Sequence, residues 1–322
     1  DEGIGYIRIS QFQNPTAELV DDIVSELVTE NETKLDSLIL DLRNNGGGAL
    51  KDAEEMSGLF IKEGPIVQIK GQGEIDVLTD NNTSITYDGP LVVMVNRFSA
   101  SASEILAGAV QDYERGLILG KDTFGKGTVQ RVQSLSSGQL KFTESKFYRV
   151  SGKSTQNKGI SPDIYLPSPV DIEEFGESKL PGALQYDFIS GTKVRDFNRL
   201  NSSKELLSIE HQARAKDSIL FKHYETLKSW RRSQNEDKFF DLDIEKRRLK
   251  KEKAEFELLT MENDFRKNIG LGTFESYQAF LDREENDEEP NIEEEILLEA
   301  ANILSDFIEH SYNPVISMNK AG

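Results

Sequence analysis

Two short, almost wholly apolar runs constrain this chain most: Leu38–Leu42 (LILDL) and Leu91–Val95 (LVVMV). Each is too short to be a packed helix and reads as a buried strand. Each is followed by a stretch with helical spacing, from about Leu50 to Phe60 and from about Ser103 to Tyr113. In the second, Ile105, Leu106, Ala109, Val110 and Tyr113 form the expected inner stripe. Ile4–Ile9 (IGYIRI) reads as a further strand, and Asn14-Pro15-Thr16 then opens a helix. Its expected apolar face is Leu19, Val20, Ile23, Val24, Leu27 and Val28. Ile66–Lys70, Leu117–Leu119, Thr128–Val132 and Leu140–Val150 add strands, and the polar stretch from Gly71 to Tyr87 reads as hairpin or loop. Repeated strand–helix–strand order predicts an α/β fold built of layers.

The pattern changes after about Pro167. The chain then turns rich in Glu, Lys, Leu and Arg, so helices are expected to dominate to the end, with Ile292–Ile308 as a last packed helix. The division expected is a core over residues 1–170 and a mainly helical domain over 171–322. Arg283–Glu289 reads as an acidic linker and Lys246–Lys253 as a solvated helix face. With 30% charged residues and a net charge of -19, the chain lacks the basic footprint that general nucleic-acid binding needs. No apolar run of about 20 residues exists to span a membrane.

Chemistry is narrowed by two absences. There is no cysteine, and the three histidines, His211, His223 and His310, all lie in the last third. Disulfides, thiol nucleophiles and Cys-ligated metals are excluded. Any acid–base work in the first 200 residues falls to Lys, Tyr, Asp or Glu.

Three segments could carry that work. Asp41-Leu42-Arg43-Asn44-Asn45-Gly46-Gly47-Gly48 places three glycines after a buried strand, where exposed N–H groups could hold an oxyanion, or simply form a turn. Ser99-Ala100-Ser101-Ala102-Ser103-Glu104 places Ser101 at a helix N-terminus, with the next N–H free to donate. Ser101-x-x-Glu104 equally matches a capping box. Gly120–Thr128 nearly matches the phosphate loop G-x-x-x-x-G-K-[ST]. It has Gly127 where Ser or Thr should stand, and it runs into strand-like alternation rather than a helix, so a nucleotide hydrolase is rejected. Lys126 lies between two glycines with room to enter a cleft, and Gln130 would share its strand face. Ser101 needs a base. Lysine is the economical one here, provided burial lowers its ordinary pKa of about 10.4.

These residues carry a family resemblance. LDLRNNGGGAL, NRFSASASEILAGAVQDYERGLILG, TFGKGTVQ and KFYRVSGKSTQNKGISPDI, with the helical tail, make the chain similar to the tail-specific, or C-terminal processing, peptidases, and to their periplasmic branch above all. The resemblance implies a Clp-protease/crotonase-like β/α core. It implies Ser101 as nucleophile, Lys126 as general base and Gln130 as its assistant. It implies Gly47 and Ala102 as oxyanion donors, with Gly46 and Gly48 equally open on the sequence. No cofactor or metal is implied. The partners implied are unfolded or tail-tagged polypeptides and an adaptor protein. Family members normally carry a PDZ domain, and this chain begins just after where that domain would end. Two other classes stay in view. One is a silent scaffold binding peptides or an adaptor. The other is a crotonase-like thioester enzyme, which would need a basic cluster that the core lacks.

Overall fold

A computed structural model of the chain describes residues 3–29, 35–168, 175–194, 200, 203–235, 239, 241–283 and 290–311. The acidic run 284–289, expected as a linker, lies outside the described residues.

β1 (Ile4–Arg8), α1 (Thr16–Thr29), β2 (Ser37–Asp41) and α2 (Leu50–Gly58) open the fold. β3 (Gly64–Lys70), β4 (Ile75–Asp80), β5 (Leu91–Val95), α3 (Ala102–Asp112) and β6 (Leu117–Gly120) follow, then β7 (Thr128–Ser134), β8 (Gln139–Tyr148) and β9 (Ile164–Tyr165). The strands form two sheets. The first has the order β1-β2-β5-β6-β9 with every pair parallel. The second has the order β4-β3-β8-β7 and is antiparallel.

The buried strands of the first sheet explain its apolar runs. Leu38, Leu40, Val93, Val95 and Ile118 enter one cluster with Val20, Val24, Met56, Leu106 and Val110 of the helices. Their neighbours Ile39, Val92, Met94, Leu117 and Leu119 are buried too. A strand buried on both faces shows no alternation, and this is the parallel-sheet signature.

The expected face of α1 is corrected. α1 buries Ala17, Val20 and Val24, while Leu19, Ile23 and Val28 are 55%, 43% and 48% exposed. The helix touches the core along a narrower stripe than its apolar residues could cover. The stretch from Gly71 to Tyr87 holds the second strand of a hairpin, one of the two readings expected: β4 pairs antiparallel with β3 and carries no fully buried residue. Its polarity follows from that half-exposed edge.

α4 (Ser203–Asp217), α5 (Ile219–Asn235), α6 (Ile244–Asn268), α7 (Tyr277–Leu281) and α8 (Ile292–Ser311) complete the chain. The described residues divide into two compact units. The first takes in residues 3–166 with the described parts of 172–208 and 300–322; the second takes in 167–168 and the described parts of 209–299. No helix among the described residues is long and apolar enough to cross a membrane.

Candidate active site

The site lies where the β2–α2 and β5–α3 loops leave the carboxyl edge of the parallel sheet, the usual place for chemistry in such sheets. Hydrogen bonds lace the two loops together. Ala100 N–H and the Ser103 hydroxyl both donate to Asn45 O, at 3.0 and 2.8 Å. The Ser99 hydroxyl donates to Leu42 O at 2.8 Å, and Asn96 Nδ2 donates to Asn44 Oδ1 at 2.9 Å. Arg43 grips the buried Asp41 carboxylate, which also accepts from Tyr6 Oη at 2.9 Å and so fixes the end of β2.

Ser101 sits at the turn into α3 with φ 58° and ψ −110°, a conformation that costs a non-glycine residue about 1–3 kcal/mol. Ordinary caps have extended backbones; Ser101 departs from that, although the Ser101–Glu104 capping box expected from the sequence is present. Gly47 lies against it. A Cβ on Gly47 would come within 2.6 Å of Ala100 O and 2.8 Å of Ser101 Cβ, and Gly47 has φ +98°. Only glycine brings the two loops this close.

Lys126 precedes β7. Its flanking glycines do something other than give its side chain room. A Cβ on Gly125 would meet the Asn157 backbone at 2.9 Å, and one on Gly127 would meet Gln156 N at 2.7 Å. The glycines seat the lysine segment against residues 154–157, where Gly127 N–H donates to Gln156 Oε1 and Asn157 N–H to Gly125 O. The Lys126 amine is pushed below its ordinary range, first by burial and then by the charge of Lys141. Glu177 and Glu104 oppose this.

Glu104 ties the site together. It is fully buried in α3, and its carboxylate accepts from Ser101 N–H at 2.8 Å, Gly125 N–H at 2.8 Å, Lys126 N–H at 2.9 Å and the Thr123 hydroxyl at 2.6 Å. One side chain thus spans the serine turn and the lysine segment. Burial raises its pKa to about 7, against the pull of those four donors. Sequence reasoning read Glu104 only as a capping partner. The available signal was a carboxylate in a helix whose other residues are small or apolar as far as Val110.

One cavity of about 610 Å³ is lined by Gly47, Ser101, Ala102, Lys126 and Gln130, with Leu50, Ile105, Val129, Phe147 and Lys141. The five residues named from sequence therefore share a single cleft. Two details qualify their expected roles. Among the described residues no hydrogen bond joins Ser101 to Lys126, and none joins Gln130 to Lys126. Gly47 N–H donates to Asn45 Oδ1 at 2.9 Å. The β7–β8 register slips between Val129 and Gln130, where β8 carries the extra residue Glu144, and Lys126, Thr128 and Gln130 all line the cavity. Thr128 starts a strand and not a helix, which removes the phosphate-loop reading.

Comparison with known proteins agrees with this architecture. The model of peptidase family S41 matches residues 3–166, more than half of the chain, so the chain belongs to that family. The C-terminal domain of tail specific protease matches residues 170–309. The tail-specific protease of Haemophilus influenzae is 38% identical over 321 residues, covering 95% of this chain and 45% of that protein. The carboxy-terminal-processing protease of Bartonella bacilliformis is 38% identical over 195 residues, covering 56% and 44%. Among solved structures, the photosystem II D1 C-terminal processing protease is 38% identical with a TM-score of 0.46, covering 51% and 42% of the two chains. The chain thus spans less than half the length of these relatives.

Proposed function

We propose that this chain carries the catalytic machinery of a serine endopeptidase that hydrolyses polypeptides through a Ser101–Lys126 dyad. The observation that carries the reading is the strained Ser101 turn sharing one cleft with a lysine whose ammonium form burial disfavours. In this reaction the neutral Lys126 amine takes the Ser101 Oγ proton as Oγ attacks the scissile carbonyl. Gln130 steadies the amine. The oxyanion is held by Ala102 N–H, at the first turn of α3 where intrahelical partners are lacking, and by Gly47 N–H on its release from Asn45. Lys126 then delivers its proton to the leaving amine, and water resolves the acyl-enzyme. Each oxyanion donor would lower the barrier by about 2.7–4 kcal/mol. Ala102 is buried against the same cleft, and Gly47 lies within contact distance of Ser101, in support of both assignments.

Substrates are unfolded or tail-tagged polypeptides, taken in extended form by strand addition. β7 supports this reading: it is an edge strand of the second sheet, and its first residues line the cleft. Selection through the C-terminal tail, an adaptor protein and a periplasmic location rest on the resemblance to the tail-specific branch. The two-part organisation, 1–170 and 171–322, is proposed on the same basis.

A second reading has an observation of its own. With Ser101 and Lys126 not hydrogen-bonded and Gly47 N–H held by Asn45, the chain is a silent scaffold that binds peptides or an adaptor. Trapping an acyl-enzyme on Ser101 with a peptide ester, read by mass spectrometry, separates the two. A covalent adduct on Ser101 that Lys126→Ala suppresses supports the peptidase; peptide binding with no adduct supports the scaffold.

A further inference from the structure

Two charged residues outside the dyad lie around the Lys126 segment, one across the shared cavity and one linked to Gly127 through Gln156. Lys141 lies on β8 opposite Val132, two residues before Thr143, which pairs with Gln130. It lines the same cavity as Ser101 and Lys126, and it takes part in no ion pair among the described residues. Glu177 arrives from the other side, at the start of a 3₁₀ turn, Glu177–Lys179. Its N–H donates to Phe124 O at 2.9 Å. Its carboxylate accepts from Gln156 Nε2 at 3.4 Å, and the Oε1 of that same Gln156 accepts Gly127 N–H at 2.9 Å. The turn is held from below by Arg97, whose Nε donates to Phe175 O at 2.8 Å, and by the edge-on packing of Phe98 on Phe175. Glu177 is thus fixed by name and place beside the lysine segment.

Resting on the reading of Lys126 as the base, we propose that Lys141 and Glu177 are opposed positioning charges that set how readily Lys126 becomes neutral: Lys141 favours the neutral amine and Glu177 the ammonium. Lys141 is exposed and Glu177 half-buried, so the coupling is weakened by solvent, but a like charge still disfavours the protonated amine and an opposite charge favours it. The influence of both residues on the Lys126 amine runs in these directions. The third group facing Lys126 is Glu104 of α3, which also favours the ammonium when ionised. Lys141 and Glu177 touch no reacting atom in this scheme. They act through Lys126, and the balance between them fixes the pH above which the cleft holds a usable base.

The test reads the Lys126 amine directly and needs no turnover. The whole chain, carrying Ser101→Ala, is trace-labelled with acetic anhydride across pH 6–11 and Lys126 acetylation is quantified by peptide mass spectrometry. The midpoint of the labelling curve is expected to move up on Lys141→Gln and down on Glu177→Gln. Each shift should be about half a pH unit, the effect of one nearby charge at high effective dielectric. Lys141→Arg should leave it in place, and both shifts should shrink in high salt. Midpoints that stay put, or that move together as a general loosening would make them, overturn the proposal. Because no catalysis is measured, the proposal can fail while the peptidase reading stands, and the converse.

Discussion

α3 and α6 are helices of opposite kind. α3 has 11 residues, and every residue from Ala102 to Val110 is buried. α6 has 25 residues, and Phe265 is its one buried residue. α3 is held by what surrounds it, which is why it can keep Ser101 in a costly backbone conformation and a carboxylate wholly out of water. α6 is solvated along its first half, where pairs such as Lys251–Glu255 are worth a few tenths of a kcal/mol at most, and it packs on α5 in its second half, where Phe265 stacks on His223 and Glu257 accepts from Trp230 Nε1. Reactive geometry needs a surround that overdetermines it, and in this chain that surround is the parallel-sheet core.

The largest break in that comparison should come at the core. Gly47→Ala places a Cβ against Ala100 O and Ser101 Cβ at a left-handed backbone, so acylation of Ser101 should fall by at least about 10²-fold, the scale of losing one oxyanion donor. Gly46→Ala, where a Cβ would meet nothing within 4 Å, should leave it nearly unchanged. Equal effects from the two would show that the loop approach is not what matters. Leu106→Ala, inside α3, should lower unfolding stability by about 2–5 kcal/mol in urea titrations. Leu249→Ala, 65% exposed on α6, should stay within about 0.5 kcal/mol.

Glu104 sharpens the comparison through pH. Its folded pKa of about 7 lies above its ordinary value of 4.5. Between those values the native state holds a proton that the unfolded state has lost. Stability from this group therefore falls as pH rises from 4.5 through about 7. Urea midpoints measured across that window should decline, and Glu104→Gln should remove the decline while slowing acylation, because a neutral amide is a weaker acceptor for the N–H groups of Ser101, Gly125 and Lys126. The smallest effect should come from an α6 charge: Lys251→Ala should leave both the decline and the rate in place.

Much of this was legible in advance. The runs around Leu40 and Val93 were readable as buried strands of an α/β fold because burial on both faces leaves no alternation to blur. The stripe from Ile105 to Tyr113 was readable for the same reason. The composition of α1 overstated its contact, since Leu19 and Ile23 satisfy helical spacing without a partner in the first unit's core. The polarity of β4 left hairpin and loop undecided, and pairing with β3 makes it a hairpin. In the cleft, Ser101, Lys126, Gly47, Ala102 and Gln130 were named from short motifs, and the structure gathers them. Glu104, Lys141 and Glu177 were not named as parts of the site. Their relations to the Lys126 segment span 15 residues or more, and no local spacing encodes those. The state of Gly47 N–H, bonded to Asn45 Oδ1, was equally invisible, because it depends on a side-chain rotamer.

The most direct test of the account is cleavage of an unfolded polypeptide with an apolar C-terminus, with a metal chelator present. The intact chain would be compared with Ser101→Ala and Lys126→Ala, each checked for folding by circular dichroism. The account predicts cleavage by the unaltered chain and a loss of about 10⁴-fold or more in both folded variants. Cleavage by either variant at the unaltered rate would contradict it and leave Ser101 as a helix cap.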